Sequence, residues 1–413
     1  MKLNGTPIGK VWTSVSKYGL RGGLQDAAAR WARRRFSAPY NVTQDYEWIL
    51  GENNPAKLPA PEAGPLKINW LTPEVRGLGN GGLFNIFRAI QQLEQWGHKH
   101  RVYVVGTTAI DEAQASEFVR RNYFPIEARI EEFKGKTADS DALIATSWDT
   151  AYVARKLGNT ARKFYFVQDL EHLFYPEGSQ CEFARQTYRW GFHGISAGRW
   201  IAHVLQTEFE MDCSPFGFSY DRESYSPNGN CFPPDPKNRV LFYARPKTER
   251  RGFELGVLAL SIVAKKMPNT EFVLVGFPPR SIRLPFLAVV PGTLAPRELA
   301  TLYRSCKVAL VLSFTNLSLL PLELMACGCA VVSNCGPNVE WLLSDDIARL
   351  AKPTPEALAE AIMALLDDHE MRARTVAAGV AFAKRTDWNL EIKKIESALY
   401  RGLNIPAKDR NNA

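Results

Sequence analysis

Ser313–Gly336 reads SFTNLSLLPLELMACGCAVVSNCG. The apolar run KVALVL ends at Ser313, a polar loop follows, and Pro321 stands where a helix opens. CAVVS then forms a second run of strand length. Strand, loop, short helix and strand predict one step of a parallel sheet, with proline in the first helical turn. Ala326, Gly328 and Ala330 are small enough to let that helix press closely on the sheet. Glu323 falls in its first turn, where the helix dipole favours a carboxylate. At a strand's carboxyl end the same group can also accept hydrogen bonds from paired hydroxyls, such as those of a ribose. Thr315, eight residues earlier, is small and neutral.

The pattern repeats on both sides of this stretch. LKINWL, RVYVV, ALIAT and KFYFV are strand-length runs from Leu66 onward, and Leu83, Ile86, Phe87, Ile90 and Leu93 share one face of a helix between the first two. RVLFYA, EFVLVG, FLAVV, KVALVL and CAVVS form a second series from about Arg239. GFELGVLALSIVAKKM and PRELATLYRS are the helices between them. The expectation is an α/β protein with two tandem Rossmann-like, doubly wound parallel sheets facing a cleft, and a helical N-terminal extension. The boundaries expected are 1–65 for a basic extension, 66–235 for an acceptor-side domain, 236–385 for a nucleotide-sugar domain, and 386–413 for a C-terminal helix packing back on the first domain. FGFSYDRESYSPNGNCFPPDPKN reads as the linker between domains. The chain is expected to be helical from Thr354 to about Arg401, with a break near Thr386–Trp388.

The 413 residues carry a net charge of +8, and most of it is local. Residues 1–36 hold eight Lys and Arg against Asp26 alone, which leaves the rest near neutral. That argues against a nucleic-acid groove across the fold. GLQDAAARWARRRF reads as a basic helix, either docked on its own protein or adsorbed to anionic lipid headgroups. NNPAKLPAPEAGP, with four prolines, is a stiff connector. No uncharged apolar run is long enough to span a bilayer, and the N-terminus lacks an apolar signal core. The expected location is cytoplasmic, with peripheral contact at the inner face of the plasma membrane through residues 1–36. Seven cysteines, several in apolar strands, read as buried thiols of a reducing compartment. No metal ligand set has suitable spacing, so neither metal nor cofactor is expected.

Doubly wound sheets bind ligands beyond their strands' carboxyl ends, and four stretches place polar residues there. TPEVRGLGNGGLFN offers Gly79, Asn80, Gly81 and Gly82 ahead of a helix, either as an anion loop or as a structural turn. Its spacing is not a dinucleotide fingerprint. YARPKTERRGFEL puts Arg245 at a strand end and Arg250–Arg251–Gly252 at the next helix, a pairing of guanidinium groups that suits a diphosphate. VQDLEHLFYP gathers Gln168, Asp169, Glu171 and His172, either as a site or as a packed lid. The fourth is the opening stretch.

Together these residues resemble the GT-B glycosyltransferases, particularly the retaining family 4 type. PLELMACGCAVVSNCG is similar to that family's signature, with Leu324 and Ala330 in place of its usual Ala and Pro. VVPGTLAPRELATLYRSCKVALVLS resembles the preceding segment, ARPKTERRGFEL its diphosphate clamp, and FGFSYDRESYSP its interdomain stretch. FYFVQDLEHLFYPEGS and YARPKTERRGFELG carry a closer likeness to the bacterial surface-glycan rhamnosyltransferases of the WsaF type.

The resemblance implies a nucleotide-diphosphate sugar, a glycan or lipid-linked glycan acceptor, retention through front-face attack, and no required metal. It assigns the catalytic set to Arg245, Arg251, Gln168 and Asp169. Donor binding falls to Gly276, Thr293, Leu294, Thr315, Asn316, Leu317, Ser318, Leu319 and Glu323, with Glu323 on the ribose and backbone amides of 316–319 on the diphosphate. Gly79, Asn80, Gly81, Gly82 and His172 fall to the acceptor side. The chain departs from the family twice. Thr315 stands where a Glu is usual, and Gln168-Asp169 where His-Asp is common. Both changes touch the sugar pocket, which makes a deoxysugar such as L-rhamnose, carried as dTDP-rhamnose, the expected donor. A GT-B epimerase and a non-catalytic glycan-binding protein are the competing readings. The first lacks a convincing set of proton-abstracting residues, and the second would not need the arginine clamp.

Overall fold

A computed structural model describes residues 42–75, 81–106, 111–226, 238–278 and 282–406. The basic helix expected within 23–36, and Gly79 and Asn80, lie outside these residues. The chain falls into two compact units, Met1–Gly51 and Glu52–Ala413. The described part of the first is a one-turn helix, Val42–Tyr46, and a 3-10 turn, Glu47–Ile49. Its Trp48 Nε1 donates to Asp45 O at 2.8 Å.

The second unit holds two wholly parallel sheets. The first has seven strands: β1 Lys67–Thr72, β2 Lys99–Val104, β3 Arg129–Glu132, β4 Ser140–Ala145, β5 Thr160–Val167, β6 His193–Ala197 and β7 Cys213–Phe216. Their order is β3-β2-β1-β4-β5-β6-β7. The second has six: β8 Arg239–Tyr243, β9 Glu271–Val275, β10 Val289–Gly292, β11 Val308–Val311, β12 Ala330–Asn334 and β13 Arg349–Ala351, in the order β10-β9-β8-β11-β12-β13. Each order reverses once, at β1/β4 and at β8/β11, and the crevice at such a reversal is where this architecture binds ligands. The central strands are buried on both faces, as the apolar runs of β4, β5, β11 and β12 require.

β3, β6, β7 and β13 are strands that no apolar run announces. β3 is a charged edge strand, and β13 is only three residues long. β6, HGISA, is wholly buried because His193 is satisfied by Asp212 and Ser214, each at 3.0 Å. FLAVV forms a ladder only from Val289, and Leu287 is 95% exposed.

Three helices, Pro355–Asp367, His369–Arg385 and Trp388–Leu403, follow β13. Asp368 and Asp387 accept from the amides of Met371 and Asn389, so a capping side chain marks each break. Trp388–Leu403 lies against the first sheet. Its Glu396 meets His98 Nε2 at 2.8 Å, Tyr400 donates to Gly64 O, and Arg401 pairs with Asp212. Leu66 N donates to His98 Nδ1, which puts the His98 proton on the Nε2 that faces Glu396. Among the described residues, no helix is long and apolar enough to cross a membrane.

Candidate active site

The loops after β5 and β6 of the first sheet meet those after β8 and β11 of the second. Asp169, just beyond β5, is the junction. Its Oδ2 accepts from the Thr315 hydroxyl at 2.8 Å, and its Oδ1 accepts from the amides of Asn316 and Leu170, both at 2.9 Å. Asn316 Nδ2 donates to Gln168 O and to Ala197 O, while its Oδ1 accepts from Trp341 Nε1 at 2.9 Å. A conformation this fully bonded is rigid, because every buried polar group in it has a partner.

Arg250 and Arg251 act on this carboxylate, and Arg245 is in electrostatic reach of both arginines. Arg251 Nη1 donates to Ser313 Oγ at 2.6 Å and to Asn316 O at 2.9 Å, so the β11 loop fixes its direction. Arg250 stands 3.6 Å from Asp169 Oδ2 and lies over the Phe174 ring at 3.8 Å. Arg245 donates to the Tyr243 hydroxyl and lies over its ring. Arg245 and Asp169 both act electrostatically on Arg250 and Arg251. Burial, set against the pull of Asp169, takes Arg251 down to about 10. Burial pushes the Asp169 carboxyl up, and Arg251, the Asn316 amide, the Thr315 hydroxyl and Arg250 draw it back. Three guanidinium groups in electrostatic reach of one another, set against the two carboxylates of Asp169 and Glu171, leave positive charge uncompensated, which makes the crevice receptive to a polyanion.

Gln168 reaches the other way. Its Oε1 accepts from Asn85 and its Nε2 donates to Gly82 O at 3.1 Å, which ties the end of β5 to the start of helix Gly81–Gln95. His172 is not brought into this cluster. It is buried against Tyr188 and Phe209, and burial takes its imidazole down to about 4. The aromatics of its own run pack elsewhere, Phe174 under Arg250 and Tyr175 against Trp148. Glu171 is held by the Tyr165 hydroxyl and the Trp148 amide, and burial pushes it up to about 8.

On the second sheet, Glu323 lies in the first turn of the short helix Leu320–Ala326. Burial pushes its carboxyl up to about 8, Asp221 adds to this, and a hydrogen bond from Tyr225 opposes it. Tyr225 is itself buried, stacked on Tyr303 at 5.9 Å. Gly276 follows β9 with φ +103 and donates to Gly292 O. A Cβ there would stand 2.7 Å from Ala244 O, so only glycine fits. Thr293 and Leu294 follow β10 directly, and Leu317 and Leu319 are buried in the core. Leu320 N reaches Ser318 Oγ at 3.4 Å.

The amides of 316–319 are not equivalent. That of Asn316 is taken by Asp169, which removes it from the set expected to face a diphosphate.

Sequence reasoning passed over Ser313, Asn334, Asn338 and Trp341. Asn334 exchanges hydrogen bonds with the Ser313 backbone, and Asn338 donates to the carbonyls of Ser313 and Thr315. The signal for Asn334 and Asn338 was the polar residues clustered at the end of β12 and just past it, and for Ser313 its place just past β11. Among the described residues, no group of three His, Cys, Asp or Glu side chains is placed to hold a metal.

Residues 89–197 match the family described as WsaF, N-terminal domain, and residues 238–363 match WsaF, C-terminal domain, together more than half of the chain. Over 264 residues the chain is 33% identical to the O-antigen biosynthesis protein RfbC of Myxococcus xanthus. That alignment takes 63% of this chain and 20% of RfbC, so the chain spans about a fifth of that relative's length. Among solved structures, the sucrose-phosphate synthase of Thermosynechococcus elongatus aligns with a TM-score of 0.63 at 14% identity, covering 82% of this chain and 99% of that one. HepE of Anabaena, solved in complex with UDP-glucose, aligns at 0.61 and 15%, with the same coverage. TarM of S. aureus aligns at 0.64 and 8%, over 81% of this chain and 99% of its own. These likenesses agree with the two facing parallel sheets and their terminal helices. The chain belongs to the WsaF-like glycosyltransferases of the GT-B fold.

Proposed function

We propose that the protein moves L-rhamnose from dTDP-rhamnose to a glycan or lipid-linked glycan acceptor, with retention and without a metal. The observation that carries this reading is the grouping of Arg245, Arg250 and Arg251, three cations that act on one another, against the carboxylates of Asp169 and Glu171. Guanidinium groups set where charge develops on a leaving diphosphate supply the stabilisation that a divalent cation gives in other transferases. Arg251 is held in place before any ligand arrives, so that stabilisation needs no reorganisation. HepE, solved with UDP-glucose, lends support to a nucleotide-sugar donor.

In this reading the donor diphosphate lies along Arg245 and Arg251, and Glu323 accepts from the ribose hydroxyls. The acceptor hydroxyl attacks the anomeric carbon from the face that the diphosphate leaves. The C–O bond to the leaving phosphate breaks as the new C–O bond forms, and a phosphate oxygen takes the acceptor's proton. Asp169 stands ready for a sugar hydroxyl, its carboxylate oriented by Thr315 and Asn316. The small Thr315 suits a sugar that lacks one hydroxyl. The reading also includes peripheral contact of residues 1–36 with anionic lipid.

Donor hydrolysis over dTDP-, UDP- and GDP-sugars, with and without EDTA, tests the proposal. dTDP-rhamnose should turn over fastest, with the rate unchanged by EDTA. Preference for another nucleotide sugar would overturn the rhamnose assignment, and loss of rate with EDTA would overturn metal independence. Inertness toward every donor would overturn the donor site itself.

A further inference from the structure

A second groove lies between helix Arg199–Phe209, which follows β6, and the segments Pro337–Glu340 and His369–Arg385 of the other half. It has two lobes, of about 440 and 570 Å³, that share Arg199, Glu340 and Trp341. The first is shallow and open and the second more enclosed, a shape that suits a ligand lying along the surface. None of the residues assigned to the donor or to catalysis lines either lobe.

The lining is balanced in charge. Arg199 and Arg385 face Glu340 and Asp346, so neither a polyanion nor a polycation is selected. Trp200 and Trp341, both partly exposed, add flat apolar faces. The exposed side chains of Arg199 and His203 have no hydrogen-bond or ion-pair partner among the described residues. Aromatic faces take the C–H face of a pyranose ring, while guanidinium and carboxylate groups take vicinal hydroxyls in pairs. We infer that this groove binds a neutral oligosaccharide at a site separate from the arginine cluster.

The floor of the groove is joined to the active site. Trp341 donates to Asn316 Oδ1, and the Asn316 amide donates to Asp169. An oligosaccharide seated across both halves therefore favours the arrangement in which Asp169, Thr315 and Asn316 meet. Growing glycan held there also stays near the enzyme between transfers.

Calorimetric titration of the full chain with a linear rhamnose tetrasaccharide, and separately with maltotetraose, tests this in saturating dTDP and UDP. At least one tetrasaccharide should bind with the nucleotides present. Trp200→Ala and Arg199→Ala should each weaken it about fivefold or more, as the loss of an anchor does. Donor hydrolysis, which also reports that each variant is folded, should stay unchanged. Should Trp200→Ala lose hydrolysis as well, Arg199→Ala alone decides. Absence of binding, displacement by nucleotide, or wild-type affinity in the folded variants would overturn the inference.

Discussion

The Thr315 hydroxyl donates to Asp169 Oδ2 at 2.8 Å, joining the loop after β11 to the loop after β5. Where the family resemblance implies a Glu, this chain has a hydrogen-bond donor, and the carboxylate comes from the opposite sheet. Two carboxylates at that separation would not both ionise, so the two positions read as one device. Thr315→Glu should raise the Asp169 carboxyl further, loosen the seam and cut donor turnover more than about tenfold. Thr315→Val keeps the shape, removes one donor of three, and should cost about 1–3 kcal/mol in urea unfolding. Full turnover in Thr315→Glu would separate this pair from the site.

Arg251 is directed by Ser313 Oγ and Asn316 O before any ligand binds. Arg251→Ala should weaken nucleoside-diphosphate binding by about 1.5–3 kcal/mol, the value of a hydrogen bond to a charged group. Arg251→Lys keeps the charge but cannot reach both anchors and a phosphate, and should recover only part of that loss. Calorimetry with dTDP measures both. Unchanged affinity in Arg251→Ala would remove it from the clamp.

Gly252 sets the direction of the two arginines before it. It has φ +56, and a Cβ there would stand 2.9 Å from the Phe314 ring and 3.3 Å from Leu312. Gly252→Ala should cost about 1–2 kcal/mol for the left-handed backbone alone, with contact strain added. The turn Glu249–Arg251 would shift with it, so nucleotide affinity should fall together with the melting temperature. A loss of stability with full affinity would show that the arginines adjust without this turn.

The parts of this fold that were legible in the sequence are those whose burial is two-sided and apolar. KFYFV and KVALVL could only be central strands, and the residues after them could only be strand-end loops. HGISA was silent because His193 and Gly194 look like turn residues. They become strand residues only through Asp212, Ser214 and the close approach of Cys213 Sγ, which would stand 2.8 Å from a Cβ at Gly194. The candidate site divided in the same way. Charged residues beside glycine were visible as Arg250–Arg251–Gly252. The partners of Asp169 were not, since its bonds to Thr315 and Asn316 span about 146 residues of sequence. His172 could be read either way, because a polar residue in an aromatic run looks the same whether it faces a ligand or a tyrosine.

Residues 1–36 carry most of the excess charge of the chain. If they meet anionic lipid, a protein lacking them should sediment less with vesicles containing phosphatidylserine, and salt should reduce binding of the full chain. Equal sedimentation of both proteins would leave the arm docked on protein.

Glu323 offers a test by pH. Burial holds its proton to about 8, against 4.5 for the free group. Between those values the native state binds the proton and the unfolded state does not, so this contribution to stability falls as pH rises through the window. Glu323→Gln has no proton to lose. Its melting temperature relative to the wild type should therefore climb from pH 5 to pH 9, the wild type losing stability that the variant keeps. Glu171, also pushed up to about 8, is present in both proteins and cancels from the difference. Thermal melts across that range measure it. Parallel curves would mean that Glu323 titrates as a solvated carboxylate, and that Tyr225 and Tyr303 do not enclose it.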